Sequence, residues 1–161
     1  MKLLMGSAMV LSVMLVSPAM AQTPPPEPAP PRYDKDLAKR LGADELGMRT
    51  YVMCFLKTGP LKVDDAQKRG ELMKGHFGMI QRLAKEKKLV LAGPFSEPGN
   101  ELRGIYLFDV PSVEEARKLT ESDPSIKEGF FKVEFVKWYG SAALLEVNDI
   151  HARIAKKRPG E

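Results

Sequence analysis

Two residues of this 161-residue chain are of the right type and placement to move a proton to or from a small molecule. His76 lies in a stretch whose apolar positions, Leu72, Met73, Phe77, Ile80, Leu83 and Ala84, recur at spacings of three and four, so the stretch predicts a helix with the imidazole on its apolar face. Histidine as a residue type titrates near neutrality, and a partner carboxylate favours its charged form while an apolar site favours its neutral one. Asp123 opens a turn after a second helix, from which its carboxylate would orient the imidazole tautomer, and Arg103 would attract an anion. Gly70, Gly75 and Gly78 would admit a closely packed strand or, at Gly75 and Gly78, leave space beside the ring. This is the equipment of general acid–base chemistry on a small ligand. The rival reading of a lone histidine on an apolar helix face is a satisfied core residue, and both readings stand at this point.

The elements that must position these residues follow one after another. A β-rich segment at residues 50–56 ends at Thr58-Gly59-Pro60. Asp64 and Asp65 then cap and charge the start of the long helix that carries His76, and Lys85, Lys87 and Lys88 suit its carboxyl end. Residues 89–92 form a second strand stopped by Gly93-Pro94, and residues 102–110 a third, so the two make an antiparallel hairpin. Ser112 and Glu115 form a capping box on a short amphipathic helix. Residues 130–139 are the last strand, with Phe131, Val133 and Phe135 on one side and Phe130, Val136 and Trp138 on the other. The order is strand, helix, strand, strand, helix, strand. It predicts an α+β, ferredoxin-like βαββαβ plan, an antiparallel sheet with two helices on one face. The opposite face also carries large apolar groups that must be covered, which a second copy would do. Residues 141–147 would add a strand or pack on a neighbour.

The rest of the chain bears on setting rather than on chemistry. A lysine at position 2, an apolar run over residues 3–16 and Ala19-Met20-Ala21 predict a signal peptide cleaved after Ala21 and an exported protein, periplasmic or secreted. The apolar run is interrupted by Gly6, Ser7 and Ser12, so no stable membrane span is expected after cleavage. Cleavage takes away one of the 25 Lys+Arg and none of the 21 Asp+Glu, leaving a formal charge of +3, too small and too dispersed to name a partner. Residues 22–31 hold six of the 13 prolines and form an extended spacer. The predicted organisation is a signal peptide over 1–21, a Pro-rich linker and lead-in over 22–47, the α+β domain over 48–147 and a basic tail over 148–161. Cys54, the sole cysteine, leaves no internal disulfide and reads as a buried thiol.

Other chemistries lack their residues. His76 and His151 are far apart with no Cys/His pairing near them, so neither a metal site nor a cofactor is expected. There is no Gly-x-Ser-x-Gly, phosphate loop or Gly-x-Gly-x-x-Gly. RNA-recognition modules share the element order, and Arg103-Gly104 starts the third strand as theirs does. The stacking positions that follow are Ile105, Leu107 and Val110, so nucleic acid is not an expected partner.

Between Tyr51 and Tyr139 the chain resembles the YCII-related family. The resemblance is carried by His76 on the first helix, the Lys88-Leu-Val-Leu-Ala-Gly-Pro-Phe95 strand and turn, Leu102-Arg-Gly-Ile-Tyr-Leu-Phe108, Ser112-Val-Glu-Glu-Ala116, Asp123-Pro124 and a closing strand with Trp138. It covers a bit over half the chain and leaves out the leader, the linker and the tail. It implies a dimeric α+β barrel, hence a homodimer, with a pocket near the histidine and His76 and Asp123 as a catalytic pair. Gly93, Pro94 and Trp138 join Arg103 as candidate ligand contacts. Family members resemble muconolactone isomerases in fold, and some are linked to turnover or dehalogenation of cyclic aromatic breakdown products. Three readings follow: an enzyme working by proton transfer, a binding module using the same pocket, and a structural or interaction domain.

Overall fold

The computed structural model describes residues 32–97 and 101–157. The predicted signal peptide and proline-rich segment lie outside the described residues. Residues from Asp34 onward form one unit, in which the elements run α1 (Lys35–Arg40), β1 (Met48–Thr58), α2 (Ala66–Lys85), β2 (Leu89–Pro94), β3 (Leu102–Phe108), α3 (Val113–Thr120), α4 (Pro124–Lys127), β4 (Phe131–Ser141), a 3-10 turn (Ala142–Glu146) and α5 (Val147–Ile154). The sheet has four strands in the order β2-β3-β1-β4, all antiparallel. This is the ferredoxin-like βαββαβ plan, with α1, α4 and α5 added to it.

Local chemistry accounts for the element starts. Asp65 Oδ1 accepts from the backbone N–H of Gln67 at 2.8 Å and caps α2, and Ser112 Oγ accepts from that of Glu115 at 3.1 Å and caps α3; each meets donors that a helix cannot satisfy within itself. β2 runs on through Gly93-Pro94, where the sequence predicts a stop. It is an edge strand, so the ladder loses nothing by the missing proline N–H. Gly93 and Pro94 also lie against Gly104 of β3 so closely that a Cβ on Gly104 would stand 2.6 Å from the Gly93 carbonyl oxygen.

α2 and α3 pack on one face of the sheet. The core there joins Met79 and Leu83 of α2 and Ala116 of α3 to Val52, Cys54 and Leu56 of β1 and to Tyr106 and Phe108 of β3. Burial pushes the Cys54 thiol up to about 12, so it stays protonated and inert at ordinary pH. Phe130, expected on the far side of the sheet, instead packs against this core beside Phe131, because it precedes the first residue of β4 and is not bound by the strand's alternation.

On the opposite face Tyr51, Val90 and Leu107 are buried, and Leu144 and Leu145 of the 3-10 turn pack against them. α5 continues over β2, where Asn148 Nδ2 donates to the Leu89 carbonyl at 2.7 Å. Residues 148–154, which the sequence places in a tail, therefore belong with Val147 to a helix lying on the domain. Towards β4 the same face is open, with Val136 and Trp138 45% and 38% exposed. The lead-in is fastened as well: Arg40 pairs with Glu146 at 2.7 Å, and the Tyr139 hydroxyl donates to Asp44.

Candidate active site

His76 is brought into the core by its place on α2, where Leu72, His76, Met79 and Leu83 form the buried stripe. α4 meets it there. Gly75 lacks a Cβ at the point where Pro124 presses on α2: a Cβ would stand 2.3 Å from Pro124 Cγ. The space expected at Gly75 is thus filled by Pro124, and Gly78 faces open space away from the ring's partners. The close approach of α4 delivers Asp123, its N-cap, to His76.

Asp123 and Ser125 are fully buried, and Tyr106 and His76 nearly so. Asp123 Oδ1 accepts from the Ser125 backbone N–H at 2.9 Å and from its hydroxyl at 2.6 Å. Oδ2 accepts from the Tyr106 hydroxyl at 3.0 Å and faces His76 Nδ1 at 2.8 Å. Burial alone would raise this carboxyl, but the hydrogen bonds from His76 and Ser125 outweigh it and hold it below the ordinary carboxylate range. Burial first, then the Asp123 charge, holds the Tyr106 phenol well above its usual range, so it remains a donor. An ionised Asp123 already served by three other donors fixes the proton of a neutral imidazole on Nδ1. That leaves Nε2, 3.4 Å from the Tyr106 hydroxyl, with a free lone pair.

His76 also borders a cleft of about 350 Å³ between α2 and the β2–β3 end of the sheet. α2 contributes Met73, Phe77 and Ile80 to its wall, the strands Gly93, Pro94 and Gly104, and Phe130 and Phe131 close it beside the imidazole. Arg69 and Arg103 are its two cationic residues. A shallower depression of about 220 Å³ adjoins it and shares Arg103, Phe130 and Phe131. Among the described residues, no three His, Cys, Asp or Glu side chains converge to hold a metal ion.

The structure therefore brings His76 and Asp123 into contact and sets Arg103, Gly93 and Pro94 around the same cleft. Trp138 is a correction. It pairs with Tyr51 across the ladder, its ring centroid 6.0 Å from that of Tyr51, on the sheet face opposite α2. Alternation along β4 sends Phe135 inward and Trp138 outward, so it does not reach the cleft. Tyr106, Ser125 and Arg69 went unnoticed in the sequence. A signal existed for Tyr106, since a tyrosine in an otherwise apolar strand must find an acceptor for its hydroxyl when buried.

An antiparallel βαββαβ domain with a buried His–Asp–Tyr cluster beside an apolar cleft places the chain among the small ferredoxin-like α+β proteins. The chain belongs to the YCII-related domain family, whose model matches residues 50–139. It is similar to the uncharacterized protein YjpA of Bacillus subtilis (strain 168), with 30% identity over 91 residues, 56% of this chain and 95% of that one. Among solved structures it is similar to 5-chloro-2-hydroxyhydroquinone dehydrochlorinase (TftG) of Burkholderia phenoliruptrix AC1100, determined in complex with 2,5-dihydroxybenzoquinone. There the TM-score is 0.43 and the identity 20%, over 55% of this chain and 92% of that one.

Proposed function

We propose that this YCII-related protein is an exported enzyme that transfers a proton on a small cyclic or carboxylated compound held in the cleft. His76 Nε2 takes a proton from a carbon or oxygen acid of the ligand, and the imidazolium formed is stabilised by Asp123 through Nδ1–H. The proton returns to the ligand at a second position, so the reaction is an isomerisation and needs no co-reactant. Tyr106 and Ser125 are positioning residues that keep Asp123 ionised and aimed. The observation that carries this reading is a buried carboxylate that receives three other donors and turns its remaining hydrogen-bonding capacity to one nitrogen of a histidine bordering an apolar cleft.

A second reading has its own support. The same cluster ties α2, β3 and α4 together through buried groups, which is what a purely structural network would do. Deuterium uptake separates the two. Cyclic enol lactones and cyclic 1,3-dicarbonyl acids are incubated in D2O with the protein and followed by proton NMR. Wild type is expected to speed exchange at one carbon at least about 100-fold over buffer, within the usual range for a positioned acid or base, and His76→Gln to abolish the gain while remaining folded. Equal exchange by the two proteins would leave the structural reading standing.

Export belongs to the same proposal. The mature chain is expected to begin at Gln22, and the intact mass of protein recovered from the cell envelope or medium reads this directly. A mass that includes residues 1–21 would sink it.

A further inference from the structure

The arginines of the sheet domain divide by what their side chains meet. Five lie between Met48 and Ser141. Arg49 pairs with Asp109, Arg82 bonds Glu86 and Ser122, and Arg117 lies over the Phe135 ring at 4.9 Å. The other two are Arg69 and Arg103. Arg69 makes one long contact, 3.5 Å, to the Asp64 carbonyl, and the Arg103 guanidinium has no hydrogen-bond or carboxylate partner among the described residues. These two are also the arginines that border the cleft, one on α2 and one on β3, and among the described residues no carboxylate lines it. Of the acids nearby among the described residues, Asp123 is fully buried and fully engaged, and Asp64 lies in the adjoining depression that shares Arg103 rather than in the cleft itself.

Charge left uncompensated on two elements that border one apolar cleft is an arrangement that receives an anion. A guanidinium presents a planar fork that matches a carboxylate. A volume of about 350 Å³ lies near the lower end of the usual range for small-molecule sites, about 300–1,000 Å³, which suits one ring with its substituents. We infer that Arg69 and Arg103 form an anion subsite that holds the carboxylate of a ring-sized ligand at the cleft mouth while the ring lies along Phe77, Phe130 and Phe131 towards His76. This rests on the reading of the cleft as a ligand site and names the ligand class that site takes: ring-sized monocarboxylates.

Matched probes test it on the mature protein. Benzoate, salicylate and cyclohexanecarboxylate are titrated against their uncharged amides, with binding followed by saturation-transfer NMR. The carboxylates are expected to bind at least about tenfold more tightly than the amides, the scale of one charge-assisted hydrogen bond, and to weaken with added salt. Arg69→Gln and Arg103→Gln should each lower carboxylate affinity about tenfold and leave amide binding and melting temperature unchanged, since both side chains are exposed. His76→Gln should keep the preference for the charged probe. Equal binding of acid and amide, arginine variants that bind like wild type, or no carboxylate binding up to about 10 mM, the weak end of measurable affinity, would each overturn the subsite. Deuterium uptake is a separate readout: its failure beside a persisting charge preference removes the proton transfer and leaves the anion subsite, and the reverse result does the opposite.

Discussion

Asp123→Ala is expected to be the most damaging single substitution in the domain. It removes the acceptor for four donors at once, the Ser125 N–H and hydroxyl, the Tyr106 hydroxyl and the His76 ring, all of them buried. A buried donor left without its acceptor costs about 1–3 kcal/mol, so the loss of several at once lowers the melting temperature of a domain of this size by more than about 10 °C. Asp123→Asn keeps the shape and costs less, about 1–3 kcal/mol, because an amide still offers one oxygen. Its NH2 group donates towards Nδ1, however, and so moves the imidazole proton to Nε2, the nitrogen that must be free to accept. A variant that folds and exchanges no proton is the expected signature of Asn at this position.

The pH dependence follows from the same carboxylate. Its folded value lies below its unfolded value, so its contribution to stability is fully present above about pH 4, the ordinary aspartate range, and is lost as pH falls through the folded value. Wild type should lose stability in acid over that window, and Asp123→Asn, with nothing to titrate there, should show a flatter profile. Urea denaturation from pH 7 down to pH 2 makes the comparison. Parallel profiles would mean that Asp123 is not the charged centre of the cluster.

Gly75→Ala should separate His76 from Asp123 without touching either. Alanine is the better helix former by about 1 kcal/mol, so in an isolated helix the change would stabilise. Here the new methyl would stand 2.3 Å from Pro124 Cγ. A proline ring is no flexible chain end, so α4 must move off α2, at a cost of about 1–3 kcal/mol for an overpacked site. Asp123, as the N-cap of α4, moves with it. The expected result is a net loss of up to about 2 kcal/mol, the difference between these terms, together with loss of the downfield Nδ1–H proton resonance that a histidine bonded to a carboxylate gives in NMR. A variant as stable as wild type with that resonance intact would show that the contact yields without consequence.

How far the site could be read from sequence depends on the range of the interaction concerned. His76 was legible because helical periodicity is local: its position one turn from Leu72 and one from Ile80 was enough to turn it inward. Asp123 was legible as the residue before a proline at a turn. Tyr106 offers only the signal of a lone hydroxyl, and the side of the sheet it faces is hidden, because residues 102–108 are apolar at nearly every position and their alternation has no visible phase until β1 and β2 pair on either side. Gly75 reads locally either as close approach by a packed element or as room for a ligand; the structure has the first, and nothing local names the partner because Pro124 lies 49 positions away. The stop expected at Pro94 failed for a similar reason, because an edge strand is recognised only once the strand order is known. Trp138 was assigned to the pocket although the alternation along its own strand set it apart from Phe131, Val133 and Phe135.

The cover that the 3-10 turn and α5 lay over Tyr51, Val90 and Leu107 begins where the family's match to this chain ends, at residue 139. The unit that is inherited and the unit that folds therefore have different borders. A fragment trimmed to residues 50–139 would keep the cleft, His76 and Asp123, yet bare a second apolar surface that the full chain shields from water. It would also lose the Arg40–Glu146 pair and the Asp44–Tyr139 hydrogen bond that fasten the lead-in. For this protein the elements that pack on the sheet run from the lead-in helix through α5, and kinship alone would cut them short.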